Sequence, residues 1–163
     1  MAVWLTSDLH LFHHNIIKFC KRPFQNIVEM GNEIIKRYNS VIQNGDLAFI
    51  LGDFALGSRK WHQEVFNKLN GQKYLILGNH DGTRKKNLEI GFIDVYRQLA
   101  LPNGILLIHD SKKANSDFNR VICGHVHQHW KYKRLGNRQF INVGVDVRDF
   151  KPVLLDTVLR EFE

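Results

Sequence analysis

The stretch YLILGNHD, residues 74–81, changes from an apolar run to a glycine followed by three polar side chains. A short apolar run that ends at a turn signal is typical of a buried β-strand. Glycine permits a sharp change of direction directly after the strand. The polar residues fit two interpretations: a turn in which Asn and Asp bond their own backbone, or a ligand site where loops meet at the carboxyl ends of strands.

The same arrangement recurs along the chain. Five apolar segments each end in a residue that can bind a metal or exchange a proton: AVWLTS before Asp8 and His10, LAFIL before Asp53, YLIL before Asn79, His80 and Asp81, ILLI before His109, and VIC before His125 and His127. Any one of these pairs can arise by chance, whereas the ordered set of five is difficult to explain in that way. Because the carboxyl ends of strands share one edge of an α/β sheet, the set predicts a common site.

Helical spacing separates the first strands. Between Asn26 and Ile42 the apolar residues recur every three or four positions, with Asn26 as the predicted N-cap. A second helix is predicted from Ser58 to Leu69, with four apolar residues facing inward: Trp61, Val65, Phe66 and Leu69. A short helix is predicted within residues 83–90. The first half of the chain therefore has a βαβ pattern.

Beyond residue 93 the pattern becomes largely β. Successive strands are predicted at ILLIH, VIC, HWKYKRL, RQFINVGV and PVLLD. The Gly136-Asn137 pair between two of them is a hairpin signal, since both residues tolerate positive φ. Together the two halves predict two sheets packed face to face with helices outside. At 163 residues, the chain is expected to form a single domain, 1–163.

Composition narrows the class of protein. Hydrophobic residues make up 44% and charged residues 24% of the chain, as in globular proteins, and no apolar stretch approaches membrane-spanning length. The N-terminus does not resemble a signal peptide, and Cys20 and Cys123 form no spacing motif, so we expect reduced thiols and a cytoplasmic protein without a membrane partner. The net charge of +7 favours anionic partners, although each basic run alone is typical of a solvated surface.

The candidate ligands indicate the kind of metal. Imidazole combined with carboxylate and amide oxygen suits Mn, Fe, Ni or Zn, whereas all-oxygen sites suit Mg or Ca. The candidate ligands are Asp8, His10, Asp53, Asn79, His109, His125 and His127. Seven ligands are too many for one tetrahedral ion and suit two divalent ions that share a bridging carboxylate. Mn is the first expectation for both ions.

In their order and spacing, the five motifs resemble those of the calcineurin-like metallophosphoesterases, over residues 8–127. The resemblance implies a four-layer α/β/β/α sandwich of two mixed β-sheets flanked by helices, and phosphoester hydrolysis by a hydroxide that bridges two cations. It assigns Asp8, His10 and His127 to the first metal. It assigns Asn79, His109 and His125 to the second metal, and Asp53 to both.

The same resemblance implies roles for further residues. His80 would be the catalytic histidine near the scissile phosphate, with Asp81 orienting or tuning it. His129 lies outside the motif and is interpreted as a strand residue. The segment HLFHHNIIKFCKRPF, residues 10–24, resembles a small bacterial and phage-type branch of the family, and implies that His13, Asn15 and Arg22 line the substrate site. The alternative for this segment is a capped helix with polar surface residues.

The expected substrate is a small, nucleotide-like phosphodiester or phosphomonoester, because a chain this short leaves little room for a module that would cover the site. A metal-dependent nuclease acting on DNA or RNA is the first alternative, given the basic runs. The second is a non-catalytic interaction scaffold of the same fold. The sequence leaves the oligomeric state open.

Overall fold

Ten β-strands form two mixed sheets in the computed structural model, which describes residues 1–163. The first sheet has the order β10-β1-β2-β3-β4, with the strands β1 (Val3–Thr6), β2 (Leu47–Ile50), β3 (Gln72–Ile76), β4 (Val95–Tyr96) and β10 (Val153–Leu154). The second sheet has the order β5-β6-β7-β9-β8, with the strands β5 (Gln98–Leu101), β6 (Ile105–Ile108), β7 (Arg120–Cys123), β8 (Tyr132–Leu135) and β9 (Arg138–Asn142).

Parallel strands occupy the centre of each sheet. In the first sheet β1 to β4 are parallel and β10 is antiparallel. In the second sheet β6, β7 and β9 are parallel, and the edge strands β5 and β8 are antiparallel. A parallel bridge joins Ser7, directly after β1, to Gly144, which follows β9. The carboxyl ends of the two sheets therefore meet at one place.

Five α-helices complete the fold: α1 (His14–Phe19), α2 (Ile27–Val41), α3 (Arg59–Lys68), α4 (Arg84–Ile90) and α5 (Leu155–Arg160). The two predicted N-caps are confirmed. The Asn26 side chain accepts from the N–H groups of Val28 and Glu29, both at 3.0 Å, and the Ser58 hydroxyl accepts from that of Trp61 at 3.3 Å. The longest helix, α2, has 15 residues, and no helix combines the length and apolarity needed to cross a membrane.

Alternation along the strands separates the layers. Ala48 and Ile50 of β2 pack against buried residues of α2, such as Ile34, whereas Leu51 and Ile76 pack against the second sheet. The two faces of the first sheet are therefore both apolar and both covered. Burial of each large apolar side chain contributes about 1.5–3 kcal/mol before the entropy of ordering is subtracted. The core thus lies directly beneath the strand ends.

The outer face of the second sheet is covered by less regular structure. Val121 and Phe140 on that face contact Phe118 and Trp130, from the loops on either side of β7, and a 3-10 turn at residues 111–113 lies nearby. Helix α5 contributes Val158 to the cluster between the sheets. The predicted fold of two mixed sheets with flanking helices is confirmed, and its fourth layer is thin.

Two local predictions in the helices are wrong. The Trp61 side chain is 49% exposed and lies against Phe12 at the surface, with 5.3 Å between ring centroids. The inward stripe of α3 instead begins at the buried His62 and continues through Val65, three residues later. PVLLD contains only the two-residue strand β10 before α5 begins, because its apolar residues continue at helical spacing to Phe162.

The predicted strand at His129 is also wrong. Strand β7 ends at Cys123 and β8 begins at Tyr132, so residues 124–131 form a loop. The main-chain N–H of His129 donates to the carbonyl of Val126 at 3.0 Å, which closes a turn instead of a strand ladder. The Gly136-Asn137 hairpin between β8 and β9 is confirmed, with Leu135 opposite Arg138.

Candidate metal centre

The loops after β1 and β7 bring the first predicted ligand group together. The ligand atoms of Asp8, His10 and His127 all lie within 4.8 Å of one another. The Oδ1 atom of Asp8 is 3.8 Å from Nε2 of His10 and 3.9 Å from Nε2 of His127. One oxygen and two nitrogens therefore surround a volume of the size that a divalent cation requires.

A second group forms from the loops after β2, β3, β6 and β7. The ligand atoms of Asp53, His109 and His125 also lie within 4.8 Å of one another. Nε2 of His109 is 3.2 Å from Nδ1 of His125 and 3.2 Å from Oδ1 of Asn79. Nδ1 of His109 lies 2.7 Å from the Leu51 carbonyl, which therefore accepts the ring proton and leaves Nε2 free to bind a metal.

Asp53 lies between the two groups. Its Oδ2 atom is 3.3 Å from Nε2 of His10 in the first group and 3.4 Å from Nε2 of His109 in the second. Its other oxygen, Oδ1, accepts from the main-chain N–H of His80 at 3.0 Å, which fixes the orientation of the carboxylate. One carboxylate oxygen is thus placed within reach of both groups.

Several buried polar atoms of the first group lack a partner. Oδ1 of Asp8 and both ring nitrogens of His10 are buried and make no hydrogen bond. An unpaired buried polar group costs about 1–3 kcal/mol, and more when it is charged. A cation held by Asp8 and His10 would satisfy these atoms, and the mixed nitrogen and oxygen donor set fits Mn, Fe, Ni or Zn. The residues present therefore fit a metal centre.

The backbone of the site is unusual. Five of the predicted ligands have positive φ angles: Asp8 (59°), His10 (49°), Asp53 (54°), His125 (68°) and His127 (46°). Non-glycine residues rarely adopt this left-handed conformation, and those that do cluster at functional sites, where it costs about 1–3 kcal/mol each. The turns after the strands therefore orient these side chains at the expense of stability.

Two motif glycines are required because other groups approach them closely. A Cβ atom at Gly78 would collide with the Asp53 carboxylate and its main-chain nitrogen. A Cβ atom at Gly124 would collide with the Ser7 hydroxyl and the Asp8 carboxylate. Any side chain at either position would displace an acidic group of the centre.

The carboxylates and imidazoles of the centre shift one another's pKa values. Burial opposes ionisation of Asp8, but the nearby imidazoles of His10, His109 and His127 outweigh it and lower its pKa. Burial likewise opposes protonation of His109, yet Asp53 and then Asp8 raise its pKa to about 9. The two carboxylates thus favour positive charge on the groups around them, and the same field would favour a cation that replaces the ring protons.

His80 is exposed beside the two groups. Its ring lies 5.5 Å from that of His10 and 5.9 Å from that of His13, between centroids. These three rings line a cavity of about 330 Å³ that also contains Asp53 and Asn79. His80 can therefore reach a group bound above the candidate metal ligands.

The predicted role of Asp81 needs correction. Its buried carboxylate accepts three main-chain N–H groups, those of Asp53 at 2.8 Å, Phe54 at 2.9 Å and Gly78 at 2.7 Å. Neither oxygen is bonded to the His80 imidazole. Burial raises the pKa of Asp81 above its ordinary value despite these donors. Asp81 therefore holds together the two loops that carry Asp53 and Asn79, and it does not orient His80.

Arg22 does not line the cavity, contrary to the prediction. The side chain is 4% exposed, and its guanidinium donates to both carboxylate oxygens of Asp146 and to the carbonyls of Asp8 and Leu9. Because these donors are used within the protein, Arg22 supports the loop after β1 instead of contacting a substrate.

Asp146 was not among the predicted site residues. Its Oδ2 atom lies 2.9 Å from Nδ1 of His127, which leaves Nε2 of that ring facing Asp8. A carboxylate on the far nitrogen of a histidine ligand fixes the ring and increases its basicity. Burial opposes protonation of His127, but Asp146 raises its pKa to about 10. The signal was present, since Asp146 follows the apolar run of β9 and a glycine.

Of the other residues considered in the sequence analysis, some line the cavity and one does not. The His13 imidazole lines the cavity, and its Nδ1 atom also caps α1 by accepting from the Ile16 N–H at 3.1 Å. Asn15 is exposed on α1 and is not part of the cavity wall. His129, in its loop, lines the cavity. The segment 10–24 is thus partly a cavity lining, at His13, and partly a capped helix with polar surface residues, at Asn15.

This chain is similar to known sequences and to solved structures. The uncharacterized protein MJ1445 of Methanocaldococcus jannaschii is 36% identical over 170 residues, covering 99% of this chain and 91% of its own. The Gene 66 protein of Mycobacterium phage L5 is 34% identical over 87 residues, covering 52% of this chain and 42% of its own. A protein of unknown function from Aquifex aeolicus, AQ665, has the same fold, with a TM-score of 0.74 at 23% identity over 98% of each chain.

The sequence also matches a protein family. The family model described as calcineurin-like phosphoesterase matches residues 1–114, the segment that contains Asp8, His10, Asp53, Asn79 and His109. His125 and His127 lie after the matched segment. In the structure His127 lies with Asp8 and His10, and His125 lies with Asp53 and His109. The chain therefore belongs to the calcineurin-like phosphoesterase family and is a metal-dependent hydrolase of phosphoric esters.

Proposed function

We propose that the protein hydrolyses phosphodiester bonds of small, nucleotide-like substrates with two divalent cations, of which Mn²⁺ is the first candidate. The observation that carries this proposal is the position of Asp53. Its Oδ2 atom lies 3.3 Å from His10 and 3.4 Å from His109, so one oxygen can serve two cations. A site for one cation would not need a shared carboxylate.

Each cation would have its own protein ligands. Asp8, His10 and His127 would hold the first, Asn79, His109 and His125 would hold the second, and Asp53 would contact both. When bound, the two cations would neutralise phosphate oxygens and lower the pKa of a coordinated water towards 7. The unpaired buried atoms of Asp8 and His10 support this assignment, because a cation would satisfy them.

His80 is the proposed proton donor. It is exposed in the cavity, and its main chain is fixed by the hydrogen bond to Oδ1 of Asp53. An imidazole in this position can protonate the oxygen that leaves when the phosphoester bond breaks, or stabilise its negative charge. No protein nucleophile is required, because water is the attacking group.

The cavity favours a small substrate over a long nucleic acid. Its volume of about 330 Å³ is at the lower end of the range for small-molecule sites, roughly 300–1,000 Å³. Histidine and amide side chains form most of its wall, which suits a phosphate group with a modest organic part. The net charge of +7 would attract such anions to the surface.

The experiment is a matrix of metals and substrates. Protein stripped of metal is assayed with Mn²⁺, Ni²⁺, Zn²⁺ or Mg²⁺ against bis(p-nitrophenyl) phosphate, p-nitrophenyl phosphate, a cyclic nucleotide, and single-stranded DNA and RNA. We expect the diesters of low molecular weight to be cleaved fastest, with Mn²⁺ present. The matched control is Asp117→Ala, which removes an exposed carboxylate distant from the centre.

Two results would contradict the proposal. Preferential cleavage of DNA or RNA, with an affinity that falls steeply as salt increases, would identify a nuclease instead. Stoichiometric metal binding without hydrolysis of any ester would identify a non-catalytic scaffold.

A further inference from the structure

The cavity at the metal centre has an apolar part beside its histidines. Ile16 and Phe19 of α1, together with Cys20 directly after the helix, form this part. Ile16 is buried beneath it, whereas the Phe19 side chain is 69% exposed. The cavity that contains the polar centre is therefore bordered by an aromatic residue that the protein itself leaves exposed.

Phe19 differs from the other exposed apolar side chains. The large hydrophobic residues with exposed side chains are Met1, Phe19, Val28, Trp61, Ile93, Tyr132 and Leu135. Of these, only Phe19 borders the cavity that contains His80. An exposed phenyl ring forgoes about 1.5–3 kcal/mol of burial, which a bound apolar group can recover.

Two contacts locate Phe19 beside the first ligand group. The thiol of the next residue, Cys20, lies within 4.8 Å of the ring nitrogen of His127. The carboxamide nitrogen of Gln128 lies 3.5 Å from the Phe19 carbonyl oxygen, and both residues line the cavity. A phosphate bound at the centre would thus have an aromatic ring and a carboxamide at the same side.

We propose that Phe19 is the stacking surface for the nucleobase of the substrate, with Gln128 at the edge of the base; this rests on the proposed function. Every nucleobase has a π-face that can stack on a phenyl ring, so this contact favours nucleotides without selecting one base. Besides the N–H that donates to the Phe19 carbonyl, the Gln128 carboxamide offers a second donor and an acceptor oxygen to the polar edge of a base. The substrate class is therefore a nucleoside phosphate ester in which the base lies against α1.

Equilibrium binding tests this without relying on turnover. Isothermal titration calorimetry measures the affinity of the Mn²⁺-loaded protein for adenosine 5′-monophosphate and for ribose 5-phosphate, which share the phosphate and sugar and differ in the base. We expect the nucleotide to bind about 5-fold to 150-fold more tightly, the range that stacking on one aromatic side chain provides. Phe19→Ala should abolish this ratio without changing the affinity for ribose 5-phosphate.

Two further variants sharpen the test. Phe19→Trp should preserve the ratio, because it keeps an aromatic face at the same place. Ile93→Ala, which removes an exposed apolar side chain that is not part of the cavity, should leave both affinities unchanged. Equal affinities of the native protein for the two ligands, no binding of the nucleotide, or a ratio that survives in Phe19→Ala would each overturn the proposal.

The base site and the proposed function can fail separately. A protein that hydrolyses diesters but does not distinguish the two ligands retains the proposed function and lacks the base site. A protein that distinguishes them through Phe19 but hydrolyses no ester retains the base site alone.

Discussion

Arg22 and Asp146 lie 124 positions apart and form a buried two-point ion pair, with 2.8 Å between Nε and Oδ1 and 2.9 Å between Nη2 and Oδ2. The same guanidinium donates to the Asp8 carbonyl at 2.7 Å, and Asp146 contacts Nδ1 of His127 at 2.9 Å. One arginine thus fixes the backbone of one candidate ligand and the carboxylate that orients another. This ion pair therefore positions Asp8 and His127, two of the three residues of the first ligand group.

Replacing Asp146 tests that support. Asp146→Asn keeps the shape of the side chain but removes the charge that holds His127 and Arg22. We expect the affinity of the first metal to fall by about 10-fold to 100-fold, the usual effect of losing the partner of a ligand, while the second metal binds as before. Metal titration followed by calorimetry measures both affinities. Asp156→Asn, on the exposed face of α5, is the control, and equal affinities in the two variants would contradict the role given to Asp146.

Removing Asp53 should affect both metals. Asp53→Ala deletes the carboxylate whose Oδ2 atom lies close to His10 of the first group and His109 of the second, so we expect the metal content to fall from two ions per chain to none. Elemental analysis after dialysis against Mn²⁺ measures this directly, with circular dichroism to verify folding. Two tightly bound ions in the variant would show that Asp53 does not bridge them. Loss of a single ion would assign Asp53 to one group alone.

Replacing His80 should lower turnover without changing the number of bound metal ions. His80→Ala leaves all seven candidate ligands in place, so we expect two ions per chain to remain bound. The turnover number should fall by about 10²-fold to 10⁴-fold, the usual contribution of one acid–base group. Hydrolysis of bis(p-nitrophenyl) phosphate under saturating Mn²⁺ measures it. His14→Ala, on the exposed side of α1, provides the comparison, and unchanged turnover in His80→Ala would remove His80 from the reaction.

The sequence predicted the architecture where local and long-range signals agree. Apolar runs bounded by glycine and polar residues predicted eight of the ten strands, and Asn26 and Ser58 marked the starts of two helices. The short strands β4 and β5 were not predicted. Trp61 misled because its spacing of four residues from Val65 fits the buried stripe, yet it lies in the first turn of α3, where its ring packs on Phe12 at the surface and His62 is the buried residue. The short strand β10 pairs with β1 across almost the whole chain, a contact for which no local pattern gives a signal.

At the site, too, some residues were predicted from the sequence and others were not. Residues directly after strands were found because strand ends converge in this class of fold. The roles of Arg22 and Asp81 were misjudged because a charged residue near a motif gives no sign of whether it faces a cavity or the backbone behind it. Both are buried: Arg22 donates to Asp146 and to main-chain carbonyls, and Asp81 accepts from main-chain N–H groups, which only the three-dimensional arrangement reveals.

Acid should weaken the contact between the end of α5 and the turn that follows β9. The Glu161 carboxylate accepts from both terminal nitrogens of Arg148, at 2.6 and 2.8 Å. Burial opposes ionisation of Glu161, but Arg148 outweighs it and lowers its pKa below the ordinary value of 4.5. The unfolded chain therefore takes up this proton more readily, so the stabilisation is fully present above pH 4.5 and is lost as the pH falls through the lower folded-state pKa.

Urea denaturation at several pH values measures that loss. The difference in the free energy of unfolding between the native protein and Glu161→Gln should shrink as the pH falls from 6 to about 3. Glu64→Gln, which removes an exposed pair with Lys68, should show a much smaller difference at every pH. A difference for Glu161→Gln that does not depend on pH would mean that the pair adds nothing through ionisation.

The role of Asp81 separates support of the loops from tuning of His80. Asp81→Asn replaces one accepting oxygen with an N–H₂ group that cannot accept from the main-chain N–H groups of Asp53, Phe54 or Gly78. Because one or more of these donors would be left buried without a partner, we expect the free energy of unfolding to fall by about 1–3 kcal/mol. The affinity for metal should fall as well, since the displaced loops carry Asp53 and Asn79.

The pH dependence of turnover then decides between the two roles. A residue that acts only on the backbone lowers turnover in Asp81→Asn equally at every pH, because the proton affinity of His80 is untouched. A residue that tunes the imidazole moves the pH at which turnover changes, since the neighbouring negative charge has been removed. Measured with saturating Mn²⁺, an unmoved profile supports the hydrogen bonds described for Asp81, and a displaced one would show that its carboxylate acts on His80 after all.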